Sequence, residues 1–375
     1  MSGLSRHVDE SLLQIRGILA KVEETGHLSL EDVGFLLSQE DPQVREAVCL
    51  VAGRVKEKHF GKHISLFAPL YLSNDCVNNC LYCGFRRDND SVGRRTLTVP
   101  EAAEEAQVLA ARGFRRILLV AAEHPAKISA HYLCQVVEAV LRETPINAIA
   151  VNAAPMPTEA FRALRESGAL AYQCFQETYQ HLVYCLMHPS GRKHNFAWRI
   201  EAMDRAIAAG FAQVGMGVLL GLWDFRSDVT AMVAHARSLL CRSENLAVVL
   251  SLPRFRAAVG ARLRRPPFPV SDDEFALAVA VCRLAVPSAE IAISTRERPE
   301  FRDGLMERGA SMMSAGSVTW PGGYTPVSDC QATGQFTIQD TRSAEQVYAA
   351  LAARGLTPVY QSVRLHRKLA ENVES

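Results

Sequence analysis

Long apolar runs are missing from this 375-residue sequence. No segment approaches the roughly 18 uninterrupted apolar residues of a spanning helix, so no membrane span is expected. Charge of one sign is missing as well: 41 Lys and Arg face 40 Asp and Glu, a formal net charge of +1. That balance gives no pull towards nucleic acid or an anionic membrane surface. The opening segment MSGLSRHVDESLLQIRGILAKVEE carries acidic residues and an amphipathic helical pattern. It lacks the basic segment, apolar run and cleavage site of a signal peptide and the acid-poor character of a transit peptide, so a cytoplasmic location is expected. Low-complexity linkers and repeats of solenoid period are absent too. What remains, 48% hydrophobic and 22% charged, is the composition of a globular protein with a sizeable core.

Ten cysteines are present. Seven of them (Cys49, Cys134, Cys174, Cys185, Cys241, Cys282 and Cys330) are scattered, mostly within apolar segments. In a reducing compartment these read as small buried hydrophobes. Cys76, Cys80 and Cys83 are different, packed into eight residues of NDCVNNCLYCGFRRDN. Thiolates at such spacing can wrap one iron–sulfur cluster or a zinc ion. Structural zinc takes four protein ligands, and no fourth Cys or His lies near; His63 precedes, and His124 and His131 follow at a distance. Three thiolates around a cubane leave one iron open, which makes a chemical site rather than a staple.

Short β-rich apolar runs recur at residues 63–72, 115–122, 146–154, 170–176, 212–222, 246–253, 290–296 and 310–317. Helical patterns lie between them, for instance at 99–113, 157–168 and 196–210, the last two closing on glycine. Strands alternating with helices predict βαβ units and a parallel sheet, and eight such strands suit a closed α/β structure, the (β/α)8 TIM-type barrel. Residues 1–58 are expected to form a helical extension packed on the barrel of residues 59–375, which ends in a short C-terminal tail. The cysteine loop follows the first strand, at the end where such barrels carry their chemistry.

C-x3-C-x2-C with an aromatic residue, Tyr82, before the last cysteine resembles the signature of radical S-adenosylmethionine (SAM) enzymes. LFAPLYLSNDCVNNCLYCGF (66–85) narrows the resemblance to the aromatic amino acid lyases of that superfamily. These include the tyrosine lyase that makes 2-iminoacetate for the thiamine thiazole and its relative in hydrogenase maturation. RRILLVAAEHP, QETY, HPSGRKHNFAWR, GVLLGLWDFR, ISTRERPEFRD, SAGSVTWPGGY and GQFTIQDTRS resemble the family in the same order, from about Leu30 to Pro358.

The resemblance implies one 4Fe–4S cluster on Cys76, Cys80 and Cys83, with SAM on its open iron. It places Tyr82, Glu123, Gln176, Glu177 and Arg199 around SAM: Glu123 near the methionyl amine, Arg199 at its carboxylate. Ala121 and Ala122 stand where the family's turn before that acid has small glycine-like positions. For the substrate, a free aromatic amino acid, it implies Arg296 and Ser314, with Ser317 as neighbour, at the α-carboxylate, and Tyr71 beside the amine. His235, inside a helical pattern, reads as a packed or surface histidine. The implied reaction is cleavage of the Cα–Cβ bond of L-tyrosine to 2-iminoacetate and 4-cresol through a 5′-deoxyadenosyl radical. A flavodoxin- or ferredoxin-type reductant and a thiazole synthase are the implied partners. No cysteine follows Cys330, so the auxiliary cluster of the hydrogenase maturases is not expected. The alternatives are a lyase of the same family acting on tryptophan or another amino acid, a maturase-like tyrosine lyase without that cluster, and a non-enzymatic cluster-binding or regulatory protein.

Overall fold

The computed structural model describes residues 2–243, 245–325 and 334–360, with the side chains of 2–11 left aside. Cys330 and the tail from residue 361 lie outside the described residues. Among the described residues nine strands form one sheet: β1 (His63–Ser73), β2 (Arg116–Ala121), β3 (Ala148–Asn152), β4 (Ala171–Gln173), β5 (Gln213–Gly217), β6 (Ala247–Ser251), β7 (Glu290–Ile293), β8 (Met312–Ser314) and β9 (Thr357–Val359). Every pairing is parallel. The order β2-β3-β4-β5-β6-β7-β8-β1 closes through β1–β2 into an eight-stranded barrel, the (β/α)8 TIM-type fold that the alternating pattern predicts. Strand β9 adds to the early part of β1, pairing with His63 to Ser65.

The helices are α1 (Ser2–Thr25), α2 (Leu30–Leu37), α3 (Pro42–Phe60), α4 (Val99–Ala111), α5 (Ala130–Glu143), α6 (Thr158–Glu166), α7 (His181–Met187), α8 (Phe196–Ile200), α9 (Ala202–Ala208), α10 (Phe225–Leu240), α11 (Asp272–Ala285), α12 (Pro299–Leu305) and α13 (Ala344–Ala353). Local chemistry fixes several of their starts. Thr98, Ser271 and Ser343 each accept from the third helical N–H, while Glu101, Glu274 and Gln346 answer the capping N–H, so each start is a complete capping box. The single helix expected over 196–210 is instead two short ones, α8 and α9, meeting at Glu201. Helices α2 and α3 lie against α10 and α11 on the outside of the barrel. No helix among the described residues is long and apolar enough to cross a membrane.

The barrel interior is layered, because alternate residues of each strand point inward. At the bottom Arg116 of β2, Glu290 of β7 and Gln213 of β5 form a buried polar floor. The Arg116 guanidinium donates to Glu290 at 3.1–3.2 Å and Gln213 Nε2 donates to it at 3.0 Å. Above the floor sit two apolar clusters, Leu118, Ala150 and Ala171 on one side and Val249, Ala292 and Met312 on the other, joined by Phe67. Of these, Phe67, Leu118, Ala150, Ala292 and Met312 line the lower part of a cavity that opens at the upper end of the barrel.

Removing one member of a buried ion pair strands the other charge. Arg116→Ala is therefore expected to cost about 3–5 kcal/mol in urea unfolding, and replacing Arg116 and Glu290 together by apolar residues of similar size to cost much less.

Candidate active site

The upper end holds a cavity of about 220 Å³. Cys76, Cys80 and Cys83 all line it, on the loop that follows β1. Backbone and side-chain donors surround the thiols: Asn78 N–H lies 3.5 Å from Cys76 Sγ, Phe85 N–H 3.4 Å from Cys83 Sγ, and Gln335 Nε2 3.9 Å from Cys83 Sγ. Burial pushes the Cys80 thiol up to about 12 and raises Cys83 as well. Such thiols stay protonated until a metal displaces the proton. Among the described lining residues there is no fourth cysteine and no histidine. The donor set fits a three-thiolate cluster with one open position.

The loop is anchored from two sides. Val77 N–H donates to the Glu123 carbonyl at 2.8 Å and Asn78 Nδ2 to the Glu123 carboxylate at 2.7 Å, which ties it to the end of β2. Asn79 N–H donates to Ser190 O at 3.1 Å, and Lys193 N–H to Asn78 Oδ1 at 2.8 Å. The second approach requires Gly191. Its φ is 96°, and a Cβ there would lie 2.4 Å from Asn78 Oδ1. Tyr82 also lines the cavity, its hydroxyl 2.8 Å from His188 Nε2. Because His188 Nδ1 contacts the Tyr184 carbonyl at 2.7 Å, that nitrogen carries the proton and Nε2 accepts from Tyr82.

Glu177 stands beyond β4 with φ 72°, an unusual value for a non-glycine residue. Asp228 of α10 steadies the turn that follows, accepting from the Thr178 hydroxyl at 2.9 Å and from Tyr179 N–H at 2.7 Å. Lys193 Nζ is 2.6 Å from Glu177 Oε1, and Arg199 of α8 is 3.9 Å away while donating to Phe175 O at 2.7 Å. Burial opposes ionisation of Glu177, but Lys193 and Arg199 outweigh it and hold its pKa below the usual carboxylate range. Glu123, Glu177 and Arg199 all line the cavity. Gln176 does not. Period-2 alternation along this segment turns Gln173, Phe175 and Glu177 inward, and Gln176 the other way, where its Nε2 is buried without a partner.

Arg296, Ser314, Ser317 and Tyr71 line the cavity too. Arg296 has no ion pair among the described residues, since its neighbour Glu297 is taken by Arg254 and Arg256. Its guanidinium rests 3.5 Å from the centroid of Phe336, and burial lowers its pKa. Ser317 Oγ is buried without a partner. The Tyr71 hydroxyl donates to Gln335 Oε1 at 2.8 Å. His235 lies away from the cavity on α10, 2.9 Å from the Tyr179 hydroxyl. Lys193, Gln335 and Phe336 carry no signal of spacing in the sequence, although each lies within a segment that resembles the family, GRKHN or GQFT.

Residues 70–229 match the Radical SAM superfamily model, and residues 251–357 match the Biotin and Thiamin Synthesis associated domain. The chain is 33% identical to the 2-iminoacetate synthase of Salmonella typhimurium, over 94% of this chain and 93% of that protein. It is 34% identical to that of Escherichia coli over the same shares. The chain belongs to the 2-iminoacetate synthase family of radical SAM proteins. In fold it is similar to the FeFe-hydrogenase maturase HydG from Carboxydothermus hydrogenoformans, with a TM-score of 0.87 and 36% identity over 95% of this chain and 81% of that one. Methylornithine synthase, at 23% identity and a TM-score of 0.75, shares the fold.

Asp228 gives this site a pH signature. Burial raises its pKa to about 6 from an ordinary 3.8, so the folded state holds a proton that the unfolded chain releases. Its contribution is fully present below about pH 4 and is lost as the pH rises through 6. Asp228→Asn keeps an acceptor for Thr178 and Tyr179 without titrating. The melting temperature of the variant relative to the wild type is expected to climb between pH 4 and 7.

Proposed function

We propose that this protein is a radical SAM lyase that cleaves the Cα–Cβ bond of free L-tyrosine, yielding 2-iminoacetate and 4-cresol. One observation carries the reading: a three-cysteine loop and an arginine without a carboxylate partner face the same barrel cavity, in a chain related over nearly its whole length to 2-iminoacetate synthases. Its cofactors are one 4Fe–4S cluster and SAM. When bound, they supply the one-electron chemistry that produces a hydrogen-abstracting 5′-deoxyadenosyl radical.

Cys76, Cys80 and Cys83 would hold the cluster. Tyr82, Glu123, Glu177 and Arg199 would surround SAM. Arg296 would clamp the substrate α-carboxylate. Arg296 is partly buried with no carboxylate in ion-pair contact among the described residues, and a planar guanidinium suits a carboxylate, which supports that assignment. Ser314 and Ser317 would add hydroxyl contacts, and Tyr71 would stand beside the amine. Fixing the carboxylate aims the amine at the reacting centre, an orientation effect worth up to about 7–11 kcal/mol in well-aligned cases.

Turnover consumes two electrons, one to cleave SAM and one, with a proton, to complete 4-cresol, and a flavodoxin- or ferredoxin-type reductant in the cytoplasm is the expected donor. The match to a domain associated with thiamin synthesis supports a thiazole synthase as consumer of the unstable imine. Residues 1–58 would serve as a helical extension to the barrel of 59–375, a division supported by the packing of α3 on α11.

Anaerobic reconstitution with iron and sulfide, followed by dithionite, SAM and tyrosine, is expected to give 4-cresol and tyrosine-stimulated 5′-deoxyadenosine. Stimulation by tryptophan alone would move the protein to the indole branch of the superfamily. Cys83→Ala is expected to abolish SAM cleavage. Arg296→Ala should retain slow uncoupled cleavage while tyrosine affinity drops roughly a hundredfold; unchanged affinity would refute the clamp.

A further inference from the structure

Among the polar groups that line the upper barrel, two sets face each other across it. Arg296 follows β7 and Ser314 ends β8. Facing them, Asn152 ends β3 and Gln173 ends β4, and these two are direct partners in the parallel register. In a closed ring of this order, β3 stands opposite β7 and β4 opposite β8. Apolar side chains, Phe67, Leu118 and Val120 among them, line the cavity as well.

Gln173 is only 5% exposed. It lines the cavity, yet its amide has no hydrogen-bond partner among the described residues, and neither has that of Asn152. An amide that has no such partner and opens onto a partly apolar cavity is free to pair with a ligand there. The neighbouring strand is shaped around it. Gly215, the register partner of Gln173 on β5, has an ordinary backbone conformation, so freedom of φ does not call for glycine there. Space does: a Cβ at Gly215 would come within 2.5 Å of Gln173 Cγ and 2.8 Å of Cδ. The missing side chain is the room that Gln173 occupies.

We propose that Gln173, with Asn152 beside it, hydrogen-bonds the phenol hydroxyl of the substrate and is the residue by which tyrosine is chosen over phenylalanine. The inference rests on the tyrosine lyase reading. Tyrosine carries its carboxylate and its hydroxyl at opposite ends of an apolar ring, matching a cation on one wall and amides on the other. A primary amide both donates and accepts, so it pairs with the hydroxyl in either orientation. Phenylalanine would leave the amides unpaired, the arrangement by which a hydrogen-bonding site rejects an analogue lacking the polar group.

The test uses cluster-reconstituted protein with SAM bound, and compares calorimetric affinities for L-tyrosine and L-phenylalanine in the wild type, Gln173→Leu and Gly215→Ala. In Gln173→Leu the preference for tyrosine is expected to fall roughly tenfold or more, with SAM affinity unchanged. Gly215→Ala, which displaces the amide without removing it, should shift the preference in the same direction. A general packing defect would weaken both amino acids alike and leave their ratio intact. Should Gln173→Leu fail to fold, Gly215→Ala carries the test. An unchanged ratio in a variant whose wild type is stimulated by tyrosine overturns this assignment alone, as does a loss confined to SAM affinity, which would turn Gln173 towards the cofactor. A wild type indifferent to tyrosine overturns the lyase reading and this inference together.

Discussion

Closure of the parallel sheet is the constraint on which everything else depends. Strand β1 hydrogen-bonds to β2 along 68–73 and to β8 along 65–67, and those two edges turn an open sheet into a ring. Once the ring is closed and every strand runs the same way, the segments after β1, β2, β4, β7 and β8 must end around one opening. Residues more than two hundred positions apart, such as Cys83 and Arg296, are thereby brought to the same cavity. Each carries a different part of the chemistry, and none has to be near another in sequence.

Charge is distributed over that cavity unevenly, and the unevenness is informative. Glu177 is answered by Lys193 and Arg199, Glu123 by Asn78, and Glu297 by Arg254 and Arg256. Arg296 is left with an aromatic face and no carboxylate in ion-pair contact among the described residues. At the floor, by contrast, Arg116, Glu290 and Gln213 satisfy one another. Paired charges below and an unpaired cation above separate the part of the barrel that holds the fold together from the part that awaits a ligand.

The fold was largely legible in the sequence, because β-rich runs and helical patterns alternate with a regularity that few architectures share. The eight barrel strands coincide with the eight expected segments, β1 running one residue further to Ser73, while β9 at Thr357–Val359 was not expected and 196–210 breaks into α8 and α9 although the helical pattern runs on through Glu201. In the site, Cys76, Cys80 and Cys83 announce themselves by spacing. Lys193 and Gln335 do not: a lysine or glutamine in a loop looks solvated until the chain folds it against Glu177 or Tyr71. Gln176 illustrates the converse, since only the alternation of the folded segment shows that its side chain faces away from Phe175 and Glu177.

The sequence by itself determined the cysteine triad, the alternation of strands and helices, and the family, because spacing and periodicity are local properties that survive without coordinates. Only the tertiary structure decided which polar side chains are left unpaired around the cavity. That Gly215 makes room for Gln173, or that Glu297 is already occupied and Arg296 is not, depends on strand register and on the distances between side chains across a closed barrel. Those are set when the whole ring packs, not by any one segment of the chain.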